Sequence, residues 1–112
     1  MIGFGENGDT EEPRPIVDPR RRRRVVAKAV GRVQGVSYRA FCVYEAQRLQ
    51  VDGYARNLPD GRTVEVQAEA DEPTLRSFIT RLREGPPLAM VHNLEYRWEE
   101  PTGEFAGFEA VI

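Results

Sequence analysis

The sequence predicts a single α+β domain: one antiparallel sheet with two helices on one face and an extra strand at the C-terminal end. Three observations predict it. Val64, Val66, Ala68 and Ala70 alternate with Glu65, Gln67 and Glu69, the pattern of a strand with one wet face. Tyr38, Phe41, Cys42, Ala46 and Leu49 recur at the spacing of one helix face. Leu75, Phe78, Ile79 and Leu82 make a second such stripe, bracketed by Asp71 and Gly85. A chain of 112 residues has room for one domain. Its 40% hydrophobic and 30% charged content is ordinary for a globular protein.

The elements follow in order. Residues 1–24 stand apart. Gly3, Gly5 and Gly8, then Pro13, Pro15 and Pro19, with few apolar residues, give the composition of a disordered extension. It lacks the basic start and apolar run of a signal peptide. The extension ends in five consecutive arginines, 20–24, read as a solvated basic junction. The domain then spans 25–112. The valine-rich stretch 25–30 reads as the first strand, and the helix of Tyr38 to Leu49 follows. Residues 53–58 read as a short strand, and Pro59-Asp60-Gly61 as the tight turn of a hairpin into the alternating strand. Asp71 caps the second helix, Pro73 suits its first turn, and Gly85-Pro86-Pro87 ends it. Residues 90–99 are a further strand with Leu94, Tyr96 and Trp98 on one face, read as core. Residues 101–103 loop into a last strand over 105–112. The order β-α-β-β-α-β is the split β-α-β, ferredoxin-like arrangement.

Composition excludes several kinds of function. Cys42 is the only cysteine, so no internal disulfide or cysteine-built zinc site is possible. His92 is the only histidine, so a two-histidine metal site is impossible too. Cys42 falls on the apolar face of the first helix and His92 in a strand, where both read as structural. No stretch has the roughly 18 apolar residues of a membrane span. Segment 1–24 carries net charge +1 and the remainder net -3, within a total of -2. An acidic body argues against nucleic-acid binding.

The stretch between the first strand and first helix is the most informative: Gly31-Arg32-Val33-Gln34-Gly35-Val36-Ser37-Tyr38-Arg39. Its glycines allow a close backbone approach to a ligand. Its amides, with those opening the helix, can form an anion nest. Arg39, a cation in a helix's first turn, is disfavoured by the dipole unless an anion sits between it and the amides. By spacing alone, the loop either binds a phosphate or carboxylate or is a plain turn beside a solvent-facing arginine.

The same nine residues closely resemble the signature loop of the acylphosphatases, G-x-V-Q-G-V-x-F/Y-R. The likeness continues through Ala46, Leu49, Gly53 and Tyr54 to Asn57, then Asp60-Gly61 and Val64-Glu65. It resumes at Gly85-Pro86-Pro87 and Gly107-Phe108. It covers 25–112 and none of 1–24. Tyr38 stands where phenylalanine is commoner, and Gln50 where many members have glycine.

The resemblance implies hydrolysis of acyl phosphates, the carboxyl-phosphate mixed anhydrides, to a carboxylate and inorganic phosphate, with no cofactor and no metal. It implies that Arg39 and the amides of Gly35, Val36, Ser37, Tyr38 and Arg39 bind the phosphate. Asn57, which in isolation reads as a turn residue, would orient the attacking water. Arg32 and Gln34 would support the loop. A cytoplasmic monomer, with a small acyl phosphate as its partner and no membrane or nucleic acid, is expected. A non-catalytic anion- or partner-binding module of the same fold is the alternative. RNA binding through the arginine run is a further one, but the aromatic strand motif of RNA-recognition domains is missing.

Overall fold

The computed structural model describes Asp18 and residues 20–112. The expected disorder of residues 1–17 and 19 lies outside the described residues. Seven elements follow in chain order: β1 (Arg22–Arg32), α1 (Tyr38–Leu49), β2 (Asp52–Asn57), β3 (Thr63–Asp71), α2 (Glu72–Glu84), β4 (Met90–Glu99) and β5 (Phe108–Val111). The strands form one sheet in the order β4-β1-β3-β2-β5.

The first four strands pair antiparallel, whereas β5 lies parallel to β2. The extra strand therefore makes the sheet mixed. It is also shorter than the 105–112 expected. Pairing begins at Gly107, whose carbonyl accepts from the Gly53 amide at 2.9 Å. Phe105 turns aside to pack edge-on against Tyr54, ring centroids 5.9 Å apart.

Alternation decides which side chains meet the helices. Val25, Ala27 and Ala29 of β1 stand opposite Ala68, Val66 and Val64 of β3, and all six are buried. Tyr38, Cys42 and Ala46 of α1 and Leu75, Phe78 and Leu82 of α2 close the core. The α2 punctuation is as the sequence spells it. Asp71 accepts from the Thr74 amide at 2.9 Å, proline follows in the first turn, and Gly85 ends the helix.

Three expectations need correction. β1 begins at Arg22, not at Val25, so three of the five arginines are strand residues. Arg22↔Asp71 and Arg24↔Glu99 pairing shows why: β3 and β4 both extend past the valines, and the ladder carries β1 with them. The run is not a free basic junction. Arg20 pairs with Asp18, Arg21 with Glu100, Arg22 with Asp52 and Arg23 with Glu72. Arg24 donates to Gln67 and lies 3.9 Å from Glu99. Second, the Leu94, Tyr96 and Trp98 stripe is core only in part: Leu94 and Trp98 pack against its margin, because β4 is an edge strand. Tyr96 is exposed, and Trp98 is half-buried beneath the guanidinium of Arg23, 4.4 Å from its ring. Third, the α1 core face includes Glu45, which is buried between Arg48 (2.7 Å) and Arg81 of α2 (3.1 Å).

Candidate active site

The loop between β1 and α1 is shaped by three local events. The β1–β4 register shifts between Val30 and Gly31. A side chain at Gly31 would collide with the Met90 carbonyl, so only glycine lets β1 stay against β4 through this irregularity. Gly35 has φ +75° and Ser37 φ +66°. For a serine this left-handed conformation costs about 1–2 kcal/mol, the kind of strain concentrated at functional sites. Ser37 sits at the N-cap of α1, yet its side chain makes no capping bond.

That geometry leaves donors unspent. The first amides of any helix have no partner within the helix. Among the described residues, none of the amides from 35 to 39 donates to another protein group. Four of these five residues line a cavity of about 420 Å³, whose wall is Val33, Gly35, Ser37, Tyr38, Arg39, Ala40, Asn57 and Ala110.

The structure thus brings Gly35, Ser37, Tyr38, Arg39 and Asn57 to one pocket, while Val36 lies in the loop without lining it. Arg39 is half-buried and donates from Nη1 to the Val111 carbonyl at 2.9 Å. Among the described residues no carboxylate lies within ion-pair distance of it, so its charge is uncompensated. Asn57 closes β2 opposite Val64, on the helix side of the sheet. Its Oδ1 is buried and has no hydrogen-bond partner. A buried acceptor without a partner costs about 1–3 kcal/mol.

Gln34 links the two halves of the site. Its Nε2 donates to the Leu58 carbonyl at 2.9 Å and the Thr63 carbonyl at 3.0 Å. The loop is thereby tied to the hairpin that follows Asn57. Tyr38 ties it to α2, its buried hydroxyl donating to the Leu82 carbonyl at 2.7 Å. Burial, and secondarily Cys42, pushes that phenol well above its ordinary range, so it remains a donor. Sequence reasoning expected the last strand but missed its part in the site. Ala110 forms part of the pocket wall and Val111 holds Arg39, across 72 positions of chain that leave no local signal. Cys42 is buried in the core and His92 lies exposed on the edge strand. Neither lines the pocket.

A family model described as acylphosphatase matches residues 25–110. The chain belongs to the acylphosphatase family. It is 51% identical over 80 residues to the acylphosphatase of Thermus thermophilus, covering 71% of this chain and 90% of that one. It is 45% identical over 91 residues to the acylphosphatase of Thermococcus kodakarensis, covering 81% and 98%. Among solved structures, the Bacillus subtilis acylphosphatase aligns with a TM-score of 0.76 at 31% identity, over 80% of this chain and 99% of that one. As an acylphosphatase, the protein is a hydrolase of acyl phosphates with inorganic phosphate as a product. A non-catalytic module is not favoured. No helix of the described residues is long and apolar enough to cross a membrane.

Proposed function

We propose that this acylphosphatase works through Arg39, the amides of residues 35–39 and Asn57, without a metal. The observation that supports this reading is their convergence on one pocket. An arginine without an ion pair among the described residues, a loop with unspent amides and Asn57 all border it.

The chemistry asks little else. A guanidinium fork can hold two phosphoryl oxygens, and the amides can stabilise charge on the same group as it transfers. The side-chain amide of Asn57 would hydrogen-bond a water and leave one of its lone pairs aimed at phosphorus. As the water oxygen bonds to phosphorus, the bond from phosphorus to the acyl oxygen breaks. The electron pair leaves on the carboxylate, and the water's proton passes to a phosphoryl oxygen. A carboxylate is a weak base, so its departure needs no strong acid. The pocket lining offers no carboxylate, imidazole or thiolate to hold a metal ion.

The protein should hydrolyse benzoyl phosphate in excess EDTA. Arg39→Ala and Asn57→Ala should each lower kcat/KM by at least about a hundredfold while circular dichroism stays native. Loss of wild-type activity in EDTA, or near-native turnover in either variant, would overturn the scheme. We further propose that residues 25–112 carry the activity, in a cytoplasmic monomer acting on a small acyl phosphate. A lone buried thiol suits a reducing compartment. The arginine run, committed to ion pairs, offers little to nucleic acid. Sedimentation at twice the monomer mass would refute the monomer.

A further inference from the structure

The structure assigns Glu69 as a positioning residue for Arg39, acting through the 101–107 loop and β5. The inference rests on the proposed role of Arg39 and adds the device that places it.

Glu69 is fully buried although charged. Its two oxygens are spent on one object, the loop that leads into β5. Oε2 accepts from the Thr102 amide at 2.7 Å and the Thr102 hydroxyl at 2.8 Å, and Oε1 accepts from the Gly103 amide at 3.0 Å. A second carboxylate holds the far end of the loop, where Asp52 Oδ1 accepts from the Gly107 amide at 2.9 Å. The Gly53 amide donates to the Gly107 carbonyl at the same point. The loop is therefore fastened at one end to β3 and at the other to β2.

β5 starts at the next residue. It is four residues long and has β2 as its one sheet neighbour. A strand this short is held weakly by its own ladder, so its placement depends on Phe108, buried against Phe78, and on what fastens the loop before it. What it delivers is specific. Ala110 forms part of the pocket wall, and the Val111 carbonyl accepts from Arg39 Nη1 at 2.9 Å. Among the described residues that carbonyl is the one protein hydrogen-bond partner of the Arg39 side chain. Glu69, the loop, β5 and Arg39 thus form one continuous chain of contacts. A Glu69 carboxylate that orients two backbone amides in a dry site contributes direction that an apolar side chain there could not.

Glu69→Gln keeps the shape but places an amide group against donors. Its KM for benzoyl phosphate and its inhibition constant for inorganic phosphate should rise roughly tenfold, since a small misplacement of a binding group costs ten- to a hundredfold. Leu75→Ala, in the core of α2, should lower the melting temperature and leave both constants at wild-type values. A Glu69→Gln/Arg39→Lys double variant should lose little beyond Arg39→Lys alone, because both act on one group. Wild-type constants in Glu69→Gln, or a fully additive loss in the double variant, would overturn the assignment. Should Glu69→Gln fail to fold, Asp52→Ala removes the acceptor of the Gly107 amide at the other end. It must raise the same two constants, and unchanged values there would overturn the assignment too. An inactive Arg39→Ala beside such unchanged constants would sink the positioning role alone. Near-native turnover in Arg39→Ala would remove the arginine assignment and this inference together.

Discussion

Arg39 and Asn57 bring the pocket its charged group and its side-chain amide. Many arginines elsewhere are paired, with Glu72, Glu65 or Glu45 for example, whereas Arg39 faces a carbonyl and an open pocket. The residues around them act as fasteners. Gln34 is the most consequential, because one side chain joins the loop to the hairpin beyond Asn57. Gln34→Ala should lower kcat/KM about tenfold through misplacement, with a melting temperature within a few degrees of wild type. An unchanged kcat/KM would refute its linking role. Tyr38 fastens the loop to the other helix. Leu82 lies in the last turn of α2, where carbonyls have no partner within the helix, and the Tyr38 hydroxyl supplies one. Tyr38→Phe leaves that buried carbonyl unsatisfied and should cost about 1–3 kcal/mol in urea unfolding. The likeness to the family marked Tyr38 as a departure from the commoner phenylalanine. That its hydroxyl reaches a residue 44 positions away could not be read locally.

Elements were legible where the punctuation is local. The helix α2 is written out in Asp71, Pro73 and Gly85 because caps act within a turn of the chain, and the structure places them at those ends. Asp71→Ala removes the acceptor for the Thr74 amide and should cost about 1 kcal/mol of stability, read as a lower urea midpoint at unchanged slope. The pocket residues of the 31–39 loop and Asn57 were also legible as a candidate site, since a nine-residue pattern and one spaced asparagine mark them. Strand ends were less so. Five arginines look like a solvated run because composition cannot show partners. The partners of the last three lie on β2, β3, α2 and β4, supplied by topology. β4 reads as core from its alternating apolar residues, but its edge position leaves Tyr96 exposed, and position in a sheet is not encoded in a strand's own residues. The same limit hid the contribution of β5. The sequence places a strand near the C-terminus, yet only its parallel pairing with β2 brings Val111 to Arg39.

At the scale of the whole molecule, carboxylate contacts fasten elements around the apolar core, and they set the fold's response to pH. Burial alone would raise the pKa of Glu69, but the amides of Thr102 and Gly103 and the charge of Arg24 outweigh it and hold the group below its ordinary 4.5. Burial of Glu45 is likewise outweighed by hydrogen bonds from Arg81 and Arg48. Asp71 and Glu72 are lowered chiefly by hydrogen bonds from Thr74 and Arg76. A carboxylate whose pKa is depressed by folding contributes stability above its unfolded value, and that contribution is lost as pH falls through the folded value. The acid limb should therefore begin below about pH 4.5, where the unfolded chain takes up protons first. The alkaline limb has the opposite sign. Burial raises Tyr38 and Cys42 from ordinary values of 10.0 and 9.0. Their contribution is complete below those values and is lost as pH rises beyond them. Urea midpoints should be level from about pH 5 to 8 and fall on both sides. Glu69→Gln cannot titrate at that position, so its acid limb should be shallower than that of the wild type while its plateau lies lower. An acid limb of unchanged slope in Glu69→Gln would mean that the strap to β5 is not among the contacts that acid dissolves.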